Sequence, residues 1–210
     1  VLTKEQHARL QSAMTSDDLV VIRSQEEIAA MIASEDEELA DAVASNREVE
    51  TSTWKFQGDD IRTFAWASSA SYIWEAASVE VKTLDGSSKR VLCQAAYPQE
   101  VKKFWDEAVE YVQHSIRFYS EILYPYPWPQ MSVVRGKAGG MEYPMIVFCR
   151  GRSHESLFNV TDHEIGHDWF PMLVNTDERR HAWMDEGFNT FVNHYSLEAY
   201  YGDKEHAPDV

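Results

Sequence analysis

The chain has 210 residues, 44% of them hydrophobic and 12% aromatic, which is enough apolar material for a buried core and too much for a disordered segment. Against 35 acidic residues stand only 19 basic ones, a formal charge of −16, so no basic surface is available to neutralise phosphates and a nucleic-acid partner is not expected. No apolar run is long enough for a transmembrane segment and no signal-peptide pattern follows Val1, which leaves the compartment open.

In chain order, residues 3–50 read as helical and acidic. Thr3 and Gln6 have the spacing of a capping box ahead of Ala8, Leu10 and Met14. From Gln25 to Ala44 apolar residues recur at Ile28, Ile32, Leu39, Ala40 and Val43, while Glu35-Asp36-Glu37-Glu38 reads as a solvated face. Thr51–Phe56 and Ile61–Trp66 alternate like strands, with Phe64 and Trp66 as core aromatics. Tyr72–Leu84 and Lys89–Ala95 flank Asp85-Gly86 as a hairpin. Pro98 is taken as a domain boundary.

Val101–Leu123 predicts one long amphipathic helix, with Val101, Phe104, Trp105, Ala108, Val112, Ile116, Tyr119 and Ile122 on its apolar face; His114 beside that face reads as a packed or half-exposed residue rather than a ligand. The prolines of Tyr124-Pro125-Tyr126-Pro127-Trp128-Pro129 end it. Met131–Val134 and Met145–Cys149 read as strands, the second as a central one. Cys93 and Cys149, the only two cysteines, read as buried free thiols.

Next comes Thr161-Asp162-His163-Glu164-Ile165-Gly166-His167, which contains H-E-x-x-H. On a helix, His163 and His167 share one face a turn apart, where each imidazole can offer a nitrogen to a single Zn²⁺. Glu164 is rotated off that face, placed to take a proton from a water at the open metal position. A catalytic zinc needs a third protein ligand. Glu186 offers one, with 18 residues between it and His167, if the helix runs to near Val174, turns through Asn175-Thr176-Asp177 and returns antiparallel. Asn189 and Thr190 are candidate hydrogen-bond donors behind the ligands. His154, His181, His194 and His206 have no partner at i+4 and read as structural or exposed.

H-E-x-x-H, the 18-residue spacing and Glu186-Gly187-Phe188, together with Trp169-Phe170, Leu173-Val174 and Trp183, resemble a gluzincin of the aminopeptidase N family. Upstream, Gly139-Gly140-Met141-Glu142-Tyr143 is similar to that family's G-x-M-E-N motif, with Gly140 in place of alanine and Tyr143 in place of asparagine. The resemblance covers roughly residues 99–200 and implies an α+β fold with a partial thermolysin-like zinc metallopeptidase core. Residues 1–98 would be the end of an N-terminal antiparallel β-domain carrying an acidic helical insert, and residues 99–210 the first part of the catalytic domain.

It further implies one Zn²⁺ per chain on His163, His167 and Glu186, with Glu164 as general base. Glu142 would bind the free α-ammonium of a peptide substrate, with Gly139, Gly140 and Met141 along the substrate strand. The family's oxyanion-stabilising tyrosine lies well beyond its third ligand, and this chain ends 24 residues after Glu186, so the chain reads as a fragment without that residue. Two other classes share the ligand set or the strand: a zinc endopeptidase or epoxide-hydrolase-type enzyme of the same family, and a non-catalytic peptide-binding module.

Overall fold

The capping box at Thr3 forms as expected: Gln6 N–H donates to Thr3 Oγ1 at 3.1 Å and Thr3 N–H to Gln6 Oε1 at 3.0 Å, opening helix α1 (Lys4–Ala13). The computed structural model describes residues 2–45 and 53–202, the side chains of 36–45 excepted. The expectations for Leu39, Ala40, Val43, most of the Glu35–Glu38 run, Thr51-Ser52 and His206 fall outside it. Helix α2 spans Gln25–Ser45.

Between α1 and α2, Val20–Arg23 forms a short strand, β1, where helix was expected. Its pairing explains a second correction. β1 takes the outer edge of β2 (Tyr72–Lys82), the place that the alternating Thr51–Phe56 segment would need. With that edge of β2 taken, residues 53–71 contain no strand. Trp54, Phe56, Phe64 and Trp66, predicted as strand and core residues, are exposed. Alternation predicts a strand only where a partner edge exists.

The hairpin of β2 and β3 (Ser88–Pro98) matches expectation. Gly86 sits at φ +84, and the Asp85 carboxylate accepts from the Thr83 hydroxyl at 2.5 Å and from the Ser87 amide and hydroxyl. Those donors hold Asp85 down at about 2. β3 then pairs in parallel with β4 (Gln130–Arg135), β4 in parallel with β6 (Ile146–Cys149), and β6 antiparallel with β5 (Gly140–Tyr143). The result is one open sheet of order β1-β2-β3-β4-β6-β5. The sheet runs straight past Pro98, so the strands assigned to a preceding β-domain lie in the same sheet as those assigned to the catalytic part.

The expected long helix is broken. A 3₁₀ turn at Gln99–Val101 and a short helix α3 (Lys102–Trp105) precede α4 (Ala108–Ile122). Glu107, at φ −103 and ψ 4, bends the chain between them, and Trp105 turns into the core against Tyr97. Trp105, Ala108, Val112, Ile116 and Tyr119 are fully buried against the inner sheet face formed by Val91, Cys93, Ala95, Met131, Val133 and Val147; Ile122 is exposed. Both cysteines are buried and free. The opposite sheet face carries α1 at one end. Elsewhere a cavity of about 1190 Å³ lies between it and segment 56–69, lined by none of the predicted site residues.

His114 is packed, as its position suggested. Phe118, Phe158 and Tyr200 surround the ring and Nε2 lies 3.1 Å from Ser196 Oγ. Burial pushes it down to about 4, so it folds neutral, and the stability it contributes is present above the ordinary histidine value and lost as pH falls from about 6.5 to about 4. Replacing His114 by glutamine is expected to flatten the urea-midpoint profile across that window, removing roughly 2–3 kcal/mol of acid destabilisation. An unchanged profile would assign the acid sensitivity to other groups.

Candidate metal centre

Ser153 opens helix α5 (His154–Gly166): the Ser156 amide donates to Ser153 Oγ at 3.1 Å and the Ser153 amide to Ser156 Oγ at 2.9 Å. The helix lies under β5 and β6 and carries the H-E-x-x-H stretch. It ends at Gly166, short of the expected Val174. Asp168–Leu173 continue as a wider turn whose bonds run back five residues, Met172 N–H to His167 O at 3.1 Å and Val174 N–H to Trp169 O at 2.9 Å. Pro171, which brings no N–H, and Phe170, at φ −133 and ψ 105, account for the change. Helix α6 (Glu186–Tyr201) returns against α5.

Close approach of α6 requires Gly166. A side chain there would overlap Asn189 Oδ1 and crowd Asn193 Nδ2. The outcome is convergence of three donors. His163 Nε2 and His167 Nε2 are 3.2 Å apart, and Glu186 Oε2 lies 3.3 Å from the first and 3.6 Å from the second. Three ligands bound at about 2.0–2.1 Å in a tetrahedron would stand roughly 3.3 Å from one another, so the donor set and its spacing fit Zn²⁺. Among the described residues a second group, Glu142, Glu164 and His167, also has ligand atoms within 4.8 Å of one another.

His167 is almost fully buried, and its Nδ1 donates to the Phe170 carbonyl at 2.7 Å, with the Asp185 carboxylate 2.8 Å from the same nitrogen. A carbonyl can only accept, so in the neutral ring His167 Nε2 is the lone pair facing the cluster. His163 is half-buried; its Nδ1 lies 2.9 Å from Asn193 Oδ1, and its backbone carbonyl accepts from Asn189 Nδ2 at 2.7 Å. Thr190, the other expected donor, is exposed. Asn193, Asp185 and the Phe170 carbonyl were not singled out by sequence, although Asn193 lies two turns beyond Glu186 on the same helix face.

Glu164 is 6% exposed, and its carboxylate rests against Gly140 of β5. A methyl group at position 140 would overlap Glu164 Oε1, so the space left by this glycine is filled by the carboxylate. Gly139 is open. Burial first, then the charges of Glu142, Glu186 and Asp185, push Glu164 up to about 8. Glu142 itself is half-buried on β5, which has no strand on its outer side among the described residues, and Met141 is exposed. The sequence-predicted residues Glu142, His163, Glu164, His167 and Glu186 therefore meet in one place, with Gly140 against Glu164 and Gly139 and Met141 its neighbours in the chain.

Of the remaining histidines, His181 and His194 are exposed and His154 is half-buried. His154 lies beside Tyr111, Glu107 and Asp106, away from the cluster. No helix among the described residues is long and apolar enough to cross a membrane.

Residues 107–210 match the family model of the Peptidase family M1 domain. The chain is similar to "Leucine aminopeptidase 2" of Emericella nidulans, 26% identical over 142 residues, which is 64% of this chain and 22% of that protein. It is similar to the protein of the same name from Aspergillus niger, 27% identical over 141 residues, 63% of this chain and 22% of that one. "Aminopeptidase M1-C" of Oryza sativa subsp. japonica is 29% identical over 139 residues, 59% of this chain and 15% of that protein. The chain thus spans less than a quarter of the length of these relatives.

Proposed function

Since residues 107–210 of this chain belong to the Peptidase family M1 domain, we propose that the chain carries the metal-binding and general-base part of a zinc-dependent aminopeptidase that hydrolyses the N-terminal bond of peptides. The single observation that supports this best is the 3.2–3.6 Å convergence of His163, His167 and Glu186 beside the buried carboxylate of Glu164. In this reading those three residues hold one zinc ion. Bound there, zinc supplies Lewis acidity, which polarises a carbonyl and brings the pKa of a water towards neutrality.

The chain's own residues do the rest. Glu164 takes the proton from the water and delivers it to the departing amine. Glu142, on the edge strand, pairs with the substrate's α-ammonium and fixes cleavage at the first peptide bond. The backbone of Gly139, Gly140 and Met141 offers the extended substrate a strand to lie against. No tyrosine of this chain is assigned to the oxyanion. Within this proposal residues 99–210 belong to a thermolysin-like catalytic domain.

The test is a pair of aminoacyl anilides that differ only in N-acetylation. The free amine is expected to be hydrolysed roughly 100-fold faster, the difference shrinking on Glu142→Ala, because truncating one side of a buried charge pair costs on the order of 2–5 kcal/mol. Equal hydrolysis of both substrates would reject the aminopeptidase reading and favour an endopeptidase or another zinc hydrolase.

A further inference from the structure

We propose that Asn193, oriented by Tyr119 and Asp162, decides which ring nitrogen of His163 carries the proton and thereby presents Nε2 to the metal cluster; as a statement about metal binding it rests on the zinc reading above. The derivation starts at Asp162, the fully buried neighbour of His163 on α5. Its Oδ1 accepts from Ser115 Oγ and Ser196 Oγ, each at 2.7 Å, and its Oδ2 from Tyr119 OH at 2.6 Å. Three hydroxyls from α4 and α6 thus point at one carboxylate, and the Tyr119 proton is committed to it.

With its proton engaged, the Tyr119 oxygen can only accept from its next partner. That partner is Asn193, whose amide nitrogen lies 2.7 Å away and donates. The reversed amide would set its carbonyl oxygen against a phenol oxygen with no proton to offer. The orientation is therefore determined, and it turns Asn193 Oδ1 towards His163 Nδ1 at 2.9 Å. An amide oxygen only accepts, so Nδ1 bears the hydrogen and Nε2 of the neutral ring is the lone pair. Nε2 is the atom that faces His167 Nε2 and Glu186 Oε2.

The neighbouring Asn189 is consistent with this direction of donation. Its Nδ2 donates to the His163 carbonyl at 2.7 Å, lies farther from Nδ1 at 3.4 Å, and its Oδ1 is 3.4 Å from Asn193 Nδ2. A relay of three helices, Asp162 on α5 to Tyr119 on α4 to Asn193 on α6, thus returns to the ligand next to its own starting residue. Tyr119 and Asn193 are positioning residues in this scheme: they act through His163 alone.

The experiment is a long-range ¹H–¹⁵N correlation on the histidine-labelled, metal-free full chain above the imidazole titration range, followed by zinc titration against a competing chelator. His163 of the native chain is expected as the Nδ1–H tautomer. Asn193→Leu and Tyr119→Phe shift its population towards Nε2–H and weaken zinc binding about 10–100-fold, the usual effect of losing a partner behind a metal ligand. Asn193→Asp, whose carboxylate still accepts from Nδ1–H, keeps the native tautomer.

An Nε2–H tautomer in the native chain overturns the proposal. So does an unchanged tautomer in a folded Asn193→Leu or Tyr119→Phe variant, which would leave those side chains a purely structural role. Should Asn193→Leu fail to fold, Tyr119→Phe, which removes one oxygen, carries the comparison. The expected tautomers in a chain that takes up no zinc would sink the metal reading and leave the relay standing.

Discussion

Glu186→Ala is expected to take the chain from about one bound zinc to none after dialysis against a chelator, with His163→Ala and His167→Ala behaving alike. The reason is the geometry of the cluster. Two imidazole nitrogens 3.2 Å apart form only one edge of a tetrahedral site, and the third corner is Glu186 Oε2, reached from another helix. Removing it leaves two ligands on one helix face and opens the site to water. Zinc should also raise the melting temperature of the native chain, because a ligand held only by the folded state at about 1,000 times its Kd adds roughly 4 kcal/mol. The Glu186→Ala chain should show little of that rise. Retention of stoichiometric zinc by the variant would remove Glu186 from the ligand set. Failure of the native chain to take up zinc under the same conditions would reject the site.

Glu164→Gln is the complementary case, in which metal and catalysis separate. The side chain reaches the cluster from the residue after a ligand but lies against Gly140 rather than among the three converging atoms. Zinc content is therefore expected to stay near one per chain, while hydrolysis of a free-amine anilide falls about 10²–10⁴-fold, the usual range for loss of a general acid–base. In the metal-free chain, burial and neighbouring acids keep Glu164 protonated up to about 8. A dication beside it favours the carboxylate that a general base requires. Loss of zinc from Glu164→Gln would make Glu164 a ligand, and full activity in that variant would pass the proton-transfer role to another group.

Much of this site was legible in the sequence because its spacing follows from one helical turn. Four residues separate neighbours on a helix face, so His163 and His167 had to share one wherever α5 formed, and Glu164 had to point elsewhere. Helix and hairpin signals that depend on adjacent residues, Thr3 with Gln6 and Asp85 with Gly86, were equally readable. One error fell where the deciding partner is distant. The Thr51–Trp66 alternation lost its strand because β1 holds the edge of β2, whereas helix α5 stopped at Gly166 for a local reason, Pro171 and the non-helical Phe170 just beyond it.

What the sequence determined by itself is the chemistry offered: two histidines and two glutamates at ligand and base spacing, a glycine-bearing segment ending in Glu142, and an acidity that argues against phosphate partners. What only the tertiary structure decided is where those groups meet and how they are oriented. Glu186 joins the histidines because Gly166 lets α6 approach α5. Glu164 finds its place because Gly140 has no side chain, and the Nδ1 atoms of His163 and His167 face Asn193 and Asp185, brought by other segments. Such contacts depend on packing between elements far apart in the chain, which local residue spacing does not encode.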